Sequence, residues 1–124
     1  MSQKKINMAL TTLVEALGAR VFVDTNLEEC LIEQVFAGDR MSDLLGAVSE
    51  RMLIITHLAN QGMIRLVELM DASAICLLNG APPCEALLEV AKETNTPLIV
   101  SPFGMYETCG IIYELFQGGG GSVP

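Results

Sequence analysis

The sequence is poor in the residues that bind nucleic acid. It has no tryptophan, two tyrosines and four phenylalanines, and its seven lysines and arginines stand against fifteen aspartates and glutamates. The formal net charge of −8 repels phosphate backbones, and few aromatic rings are present on which bases could stack. We therefore expect no nucleic-acid partner.

Long hydrophobic runs are also missing. The longest apolar stretches, around 52–55 and 74–78, are far too short to cross a bilayer. Lys4 and Lys5 are not followed by the unbroken apolar core of a secretory signal. These absences predict a cytoplasmic protein with no membrane partner.

Closely spaced cysteines are absent too. Cys30, Cys76, Cys84 and Cys109 form no C-x-x-C pair, whereas a zinc site usually includes a local pair of ligands. Cys76 lies in an apolar run and Cys109 on an apolar helical stripe, so both are predicted to be small buried side chains. We expect no disulfide, no metal site and no cofactor.

Catalytic motifs are not found either. The sequence contains no G-x-x-x-x-G-K-S/T phosphate loop and no Ser-His-acid spacing, so we predict no enzyme activity and assign no catalytic residue. His57 is the single histidine. Histidine is the side chain whose ordinary pKa lies near neutrality. A second hypothesis is thus a small enzyme that uses His57 as acid or base and Cys84, at a predicted helix start, as nucleophile.

Apolar residues, in contrast, are abundant. They make up 51% of a chain of 124 residues, which is the size of one domain and must leave much of its surface exposed. Seven methionines fit an adaptable contact surface. We therefore predict a homodimer held by apolar surface from helices.

Strand and helix patterns alternate through the second half of the chain. Apolar, partly β-branched runs predict strands, and stripes at helical spacing predict helices, with βα units recurring about every twenty residues, as parallel crossovers require. The predicted strands are 52–58, 74–79 and 97–101, and the predicted helices are 61–71, 83–94 and 104–116.

The first half is read with the same rules. The chain is predicted to open with an amphipathic helix that ends before Gly18, with its apolar stripe at Ile6, Leu10, Leu13, Val14 and Leu17. Strands at 20–23 and 31–36 follow, with a short helix capped by Ser42 and carrying Leu44 and Leu45.

The prediction is a single three-layer α/β domain over residues 1–117, with a mostly parallel sheet and helices packed on it. Residues 118–124 are predicted to be a flexible glycine-rich tail.

Small and polar residues follow the predicted strands. Ligands of parallel α/β sheets bind at the carboxyl ends of the strands, so this edge is the candidate ligand site. Each of the three strand exits also has a purely structural explanation: a helix cap for Asn60, a turn for Asn79 and Gly80, and a backbone partner for Ser101. The candidate ligand-binding residues are Thr56, His57, Asn60, Asn79, Gly80, Ser101 and Gly104.

The chain also resembles a known family. The stretches GDRMSDLLGAVSERMLIITHLAN, ICLLNGAPP, TPLIVSP and MYETCGIIYELF are similar to DRTGG domains, and the resemblance runs from about Ala19 onward. The literal Asp-Arg-Thr-Gly-Gly string is missing, and Asp39 and Arg40 alone match its beginning.

The resemblance implies a function. DRTGG domains occur beside CBS domains in regulated pyrophosphatases, in phosphate acetyltransferases and as stand-alone chains, and their fold is similar to the N-terminal domain of HPr kinase/phosphorylase. By resemblance, this chain is a stand-alone, non-catalytic regulatory or binding module that self-associates. It would bind a small ligand or a metabolic enzyme partner. The first ligand candidate is an adenine nucleotide, and the next is another small phosphorylated compound. A third hypothesis is a structural partner domain without a ligand.

Overall fold

The computed structural model describes residues 8–24, 27–40, 42, 43, 46, 51–59, 61–69 and 74–118. Within them the chain forms β1 (Met8–Ala9), α1 (Leu10–Leu17), β2 (Arg20–Val23), a 3-10 turn (Leu27–Glu29), β3 (Leu31–Ile32), β4 (Gln34–Ala37), β5 (Met52–Ile55), α2 (Gln61–Leu69), β6 (Ala74–Leu77), α3 (Glu85–Glu93), β7 (Leu98–Val100) and α4 (Met105–Gly118).

The main sheet has five strands in the order β2-β7-β6-β5-β4. Strands β4 to β7 are parallel, and β2 joins the edge antiparallel to β7. The predicted α/β class with a mostly parallel sheet is confirmed, and so are the βα units in its second half. Because parallel strands succeed one another along β4 to β7, their carboxyl ends lie at one edge of the sheet.

Helices cover both faces of this sheet. Every residue of β5, β6 and β7 is buried, as the continuous apolar runs predicted. Along β5, Met52 and Ile54 pack on the face covered by α2 and α3, whereas Leu53 and Ile55 pack on the face covered by α1 and α4. The alternation of side chains along a strand thus divides the core into two layers.

The predicted strand 31–36 was wrong as one element. Leu31 and Ile32 pair antiparallel with β1 in a separate two-stranded sheet, and β4 begins at Gln34 and pairs with β5 in the main sheet. The amides of Glu33 and Gln34 both donate to the carbonyl of Arg51, at 2.8 and 3.2 Å. The chain therefore changes partner between Ile32 and Gln34, which hydrophobic alternation alone does not reveal.

The start of α3 also differs from its prediction. The helix begins at Glu85, after Cys84 as N-cap, and not at residue 83 as predicted, so both Pro82 and Pro83 precede it. The helical spacing predicts Cys84 on the same inward stripe as Leu87 and Ala91, but only Leu87 and Ala91 are buried and Cys84 is exposed. The side chain of an N-cap residue lies beside the helix end and not on its packed face.

Some predictions fall outside the described residues. The helix predicted after Ser42 lies mostly there, as do Ile6, Asn60 and residues 119–124 of the predicted tail. The predicted first helix was wrong at its start, because Met8–Ala9 pair as strand β1 and α1 begins at Leu10. The described end of α4 is Gly118. None of the helices that the structure describes is long and apolar enough to span a membrane.

Candidate functional site

Asp39, just after β4, contacts two residues that leave the neighbouring strand β5. Its Oδ1 accepts hydrogen bonds from the Thr56 hydroxyl at 2.9 Å and from the backbone amide of His57 at 2.7 Å. Its Oδ2 lies 2.8 Å from Nδ1 of the His57 ring. The Thr56 hydroxyl in turn accepts from the amide of Leu58 at 3.1 Å, which closes the turn after β5.

These contacts decide the ionisation of Asp39. Partial burial raises the pKa of its carboxyl, but hydrogen bonds from the His57 amide, the His57 ring and the Thr56 hydroxyl, with the charge of His57, lower it. The net pKa lies below the ordinary value of 3.8. Asp39 is therefore a carboxylate at neutral pH and an acceptor for the His57 ring.

The contact with Asp39 fixes the orientation of His57. A carboxylate only accepts hydrogen bonds, so Nδ1 carries the proton that is shared with Asp39 Oδ2. In the described part of the chain, no residue hydrogen-bonds to Nε2, and 44% of the side chain is exposed. A neutral ring therefore presents an Nε2 lone pair at the carboxyl edge, and a protonated ring presents a donor.

The exit of β6 is a tight turn joined to the exit of β7. Asn79 and Gly80 both have left-handed backbones, with φ of 60° and 66°. The amide of Asn79 donates to the carbonyl of Phe103, and that of Gly80 donates to the carbonyl of Ser101, both at 2.8 Å. Asn79 and Gly80 are exposed at the edge, although their amides are already bonded within the protein.

Ser101 lies inside a buried hydrogen-bond network. Its Oγ is 2.7 Å from Oγ1 of Thr108 on α4 and accepts from the amide of Phe103 at 3.1 Å. Both hydroxyl residues are fully buried. Ser101 therefore fastens the β7 exit to helix α4, and its hydroxyl does not reach solvent.

The structure thus separates the candidate ligand residues into two groups. His57, Asn79 and Gly80 face solvent, whereas Thr56 and Ser101 are fully buried and hold the exits in place. The half-buried Gly104 lies against Asn79: a Cβ added to it would be 3.4 Å from Asn79 Oδ1.

Two residues of this edge were not among the sequence candidates. Asp39 had a signal, because it belongs to the Asp39-Arg40 pair that matches the start of the DRTGG string. Its neighbour Arg40 has a side chain that is 77% exposed, with Nε 3.9 Å from Asp43. Thr108 had no signal, since nothing in a helical sequence marks the residue that will meet Ser101.

The four cysteines differ in burial and so in the state of their thiols. Burial raises the pKa of Cys76 to about 12, although a hydrogen bond from the backbone of Ser101 opposes the shift. Burial also raises the pKa of the Cys30 and Cys109 thiols. In the described residues, no hydrogen bond joins the exposed Cys84 to His57, and no three His, Cys, Asp or Glu side chains are grouped to hold a metal ion.

The fold and this edge define a small three-layer α/β domain with exposed polar groups at the carboxyl ends of its parallel strands. The chain belongs to the DRTGG domain family, whose model matches residues 12–115. The resemblance stated from the sequence is thereby confirmed.

A solved structure has the same fold. It contains the CBS and DRTGG domains of the regulatory region of Clostridium perfringens pyrophosphatase, complexed with the activator diadenosine tetraphosphate. The TM-score is 0.74 at 19% sequence identity, over 84% of this chain and 45% of that one. This chain therefore spans less than half the length of that structure. No curated protein matches the sequence.

Proposed function

We propose that this chain is a non-catalytic regulatory module that binds a small ligand at the carboxyl edge of its parallel sheet. The observation that carries the proposal is the Asp39–His57 contact at 2.8 Å, which holds an exposed imidazole at the place where such sheets bind ligands. Asn79 and Gly80 supply further exposed surface along this edge. Membership of the DRTGG family supports the regulatory role.

The ligand proposed first is an adenine nucleotide, and the class behind it is small phosphorylated compounds. The regulatory region with the same fold was solved with diadenosine tetraphosphate, described as its activator. On this chain, Arg40 follows Asp39 in the sequence, and its 3.9 Å contact with Asp43 is long for an exposed ion pair. Arg40 and a protonated His57 are the groups that would meet phosphate oxygens.

We also propose that the module is not an enzyme, because the hydroxyl groups near His57 are not available as nucleophiles. Thr56 and Ser101 are fully buried and hydrogen-bonded within the protein. Within the described residues, neither a hydroxyl nor a thiol is hydrogen-bonded to the ring of His57, although a nucleophile needs such a base. We expect no kinase, phosphatase or acyltransferase turnover above background.

The module is further proposed to act through protein contacts, as a homodimer and against a metabolic enzyme. Two tyrosines of α4, Tyr106 and Tyr113, have side chains that are 90% and 65% exposed, and Val35 is exposed on the edge strand β4. Large aromatic residues are enriched in protein interfaces. This apolar surface supports self-association.

The ligand proposal is tested by thermal unfolding with AMP, ADP, ATP and diadenosine tetraphosphate. A ligand that binds only the folded state raises the melting temperature. The rise should be lost in Arg40→Ala and His57→Ala and retained in Arg65→Ala, which removes an exposed arginine from α2. If no compound raises the melting temperature, the structural domain without a ligand becomes the better explanation.

A small enzyme is the second candidate, and the Asp39–His57 pair is the observation that favours it. A carboxylate on Nδ1 is how hydrolases orient a histidine base. Turnover of a phosphorylated substrate that disappears in His57→Ala and survives in Arg65→Ala would support this candidate. If Cys84 were its nucleophile, Cys84→Ser would abolish the same activity.

A further inference from the structure

Strand β4 is an edge of the main sheet. The amides of Gln34 and Gly38 donate toward β5, to the carbonyls of Arg51 and Ile55. Because backbone groups alternate sides along a strand, the N–H and C=O groups of Val35 and Ala37 lie on the other side of β4. In the described part of the chain, no strand pairs with that side.

A groove lies between this edge strand and helix α4. Its volume is about 840 Å³, and Val35 and Ala37 face it from β4, while Met105, Cys109, Tyr113 and Phe116 face it from α4. Val35 is 37% exposed. An apolar groove thus runs directly beside backbone groups that no described strand pairs with, so one occupant can contact both.

The groove is electrically neutral on a strongly acidic chain. Among the described residues that line it, only Glu33 is charged, and Glu33 forms a 2.8 Å ion pair with Arg51. The whole chain has a formal net charge of −8, so two copies repel each other overall, and a contact face with few charges adds least to that repulsion. An interface at this groove therefore places few like charges in direct contact.

We propose that a second copy of this chain occupies the groove, with the β4 strands of the two copies paired antiparallel. The inference rests on the self-association in the proposed function and assigns its surface. The occupant follows from self-complementarity: a two-fold axis brings an unpaired strand to an unpaired strand, and a neutral apolar helix face to the same face.

The strand geometry also gives a register. Val35 and Ala37 carry the outward backbone groups. If Val35 pairs with Ala37 of the second copy, the outward N–H and C=O groups of both residues in both strands form hydrogen bonds. Phe36 then lies on the two-fold axis. In this register, Val35 and Ala37 of each copy lie beside the groove of the other copy, which Tyr113 of that copy lines.

The chain offers a matched pair of variants. Val35 on edge strand β4 and Val21 on edge strand β2 are 37% and 38% exposed. Val35→Arg places a charge in the proposed interface, whereas Val21→Arg places it on the opposite edge. Light scattering across micromolar concentrations should give a two-chain mass for the wild type and for Val21→Arg. For Val35→Arg, the dissociation constant should rise by on the order of a hundredfold.

The outcomes separate the surface from self-association itself. A wild type with a one-chain mass at all concentrations overturns both and leaves the groove to a different apolar partner. A wild-type dimer that Val35→Arg leaves intact overturns this surface alone.

Amide hydrogen exchange on the wild type does not depend on a variant that folds. The amides of Val35 and Ala37 should exchange at least about tenfold more slowly in the dimer than after dilution to the monomer, while the amide of Val21 stays unchanged. Equal exchange of Val35 and Ala37 in the two states would exclude strand pairing.

Discussion

Asp39 and His57 lie eighteen residues apart in the sequence, and their side chains meet at 2.8 Å, Asp39 Oδ2 to His57 Nδ1. Asp39 follows β4 and His57 follows β5, so the contact joins the carboxyl ends of two adjacent parallel strands. A second bond from the His57 amide, at 2.7 Å, makes the link depend on the backbone as well as the ring.

Replacing Asp39 with Asn should lower stability in a pH-dependent way. The pKa of Asp39 is below 3.8 in the folded protein, so the stabilisation is complete above the unfolded pKa and is lost as the pH falls through the folded one. The loss caused by Asp39→Asn should therefore be larger at about pH 6 than at about pH 2.5. Urea unfolding at both pH values measures it.

The control for this comparison is Asp24→Asn, which alters an exposed carboxyl before the 3-10 turn. Its effect on the free energy of unfolding should be small at both pH values. An Asp39→Asn effect that stayed constant down to about pH 2.5 would show that the ionised carboxylate is not what stabilises this turn.

Ser101 and Thr108 should be energetically coupled. Ser101→Ala removes the acceptor of the Phe103 amide and the 2.7 Å partner of Thr108, so it should cost about 1–3 kcal/mol. Adding Thr108→Val should cost less than it does in the wild type, because its partner is already gone. A double-mutant cycle by chemical unfolding measures this coupling, expected at about 0.5–3 kcal/mol.

A matched cycle pairs Ser101→Ala with Glu89→Ala, on the exposed face of α3 across the sheet. The two changes share no contact and should be additive within about 0.5 kcal/mol. Additivity in the Ser101–Thr108 cycle as well would mean that the buried hydroxyl contact contributes nothing specific.

Gly80 should tolerate substitutions according to backbone preference. Its φ is 66°, and no atom of the described residues lies within 4 Å of an added Cβ, so the cost is conformational and not steric crowding. Gly80→Ala should lower the free energy of unfolding by about 1–2 kcal/mol, the penalty for an L-residue in the left-handed region. Gly80→Asn, although larger, should cost less, because Asn adopts this conformation more readily. Thermal or urea unfolding of both variants measures the two losses in stability. If Gly80→Asn lost more stability than Gly80→Ala, the size of the side chain and not its backbone preference would decide the cost.

The cysteines should react with a thiol reagent in the order of their exposure. Near neutral pH, Cys84 should be labelled first and Cys76 last, because Cys84 is exposed and burial raises the Cys76 pKa to about 12. Cys30 and Cys109 should fall between them. Labelling followed by peptide mass spectrometry gives the order, and denatured protein, in which all four should react alike, is the control. Rapid native labelling of Cys76 would contradict the buried sheet centre.

The sequence by itself determined the layered core. Continuous apolar runs such as Met52–Ile55 predict strands buried on both faces, and stripes such as Leu10, Leu13 and Leu17 predict helices that cover them. Their alternation required parallel strands, so the pattern of residues alone locates the edge where Thr56, Asn79 and Ser101 follow their strands. These features depend on residues that are close together in the sequence, so a local sequence pattern is enough to predict them.

Tertiary structure alone decided which polar groups meet. The partner of His57 is eighteen residues away, and the partner of Ser101 is a helical threonine whose local sequence carries no mark of it. The change of sheet between Ile32 and Gln34, and the groove beside β4, depend on which distant segments pack there. Each is set by the global arrangement of segments, because hydrogen bonds and packing act between atoms close in space, whatever their separation along the chain.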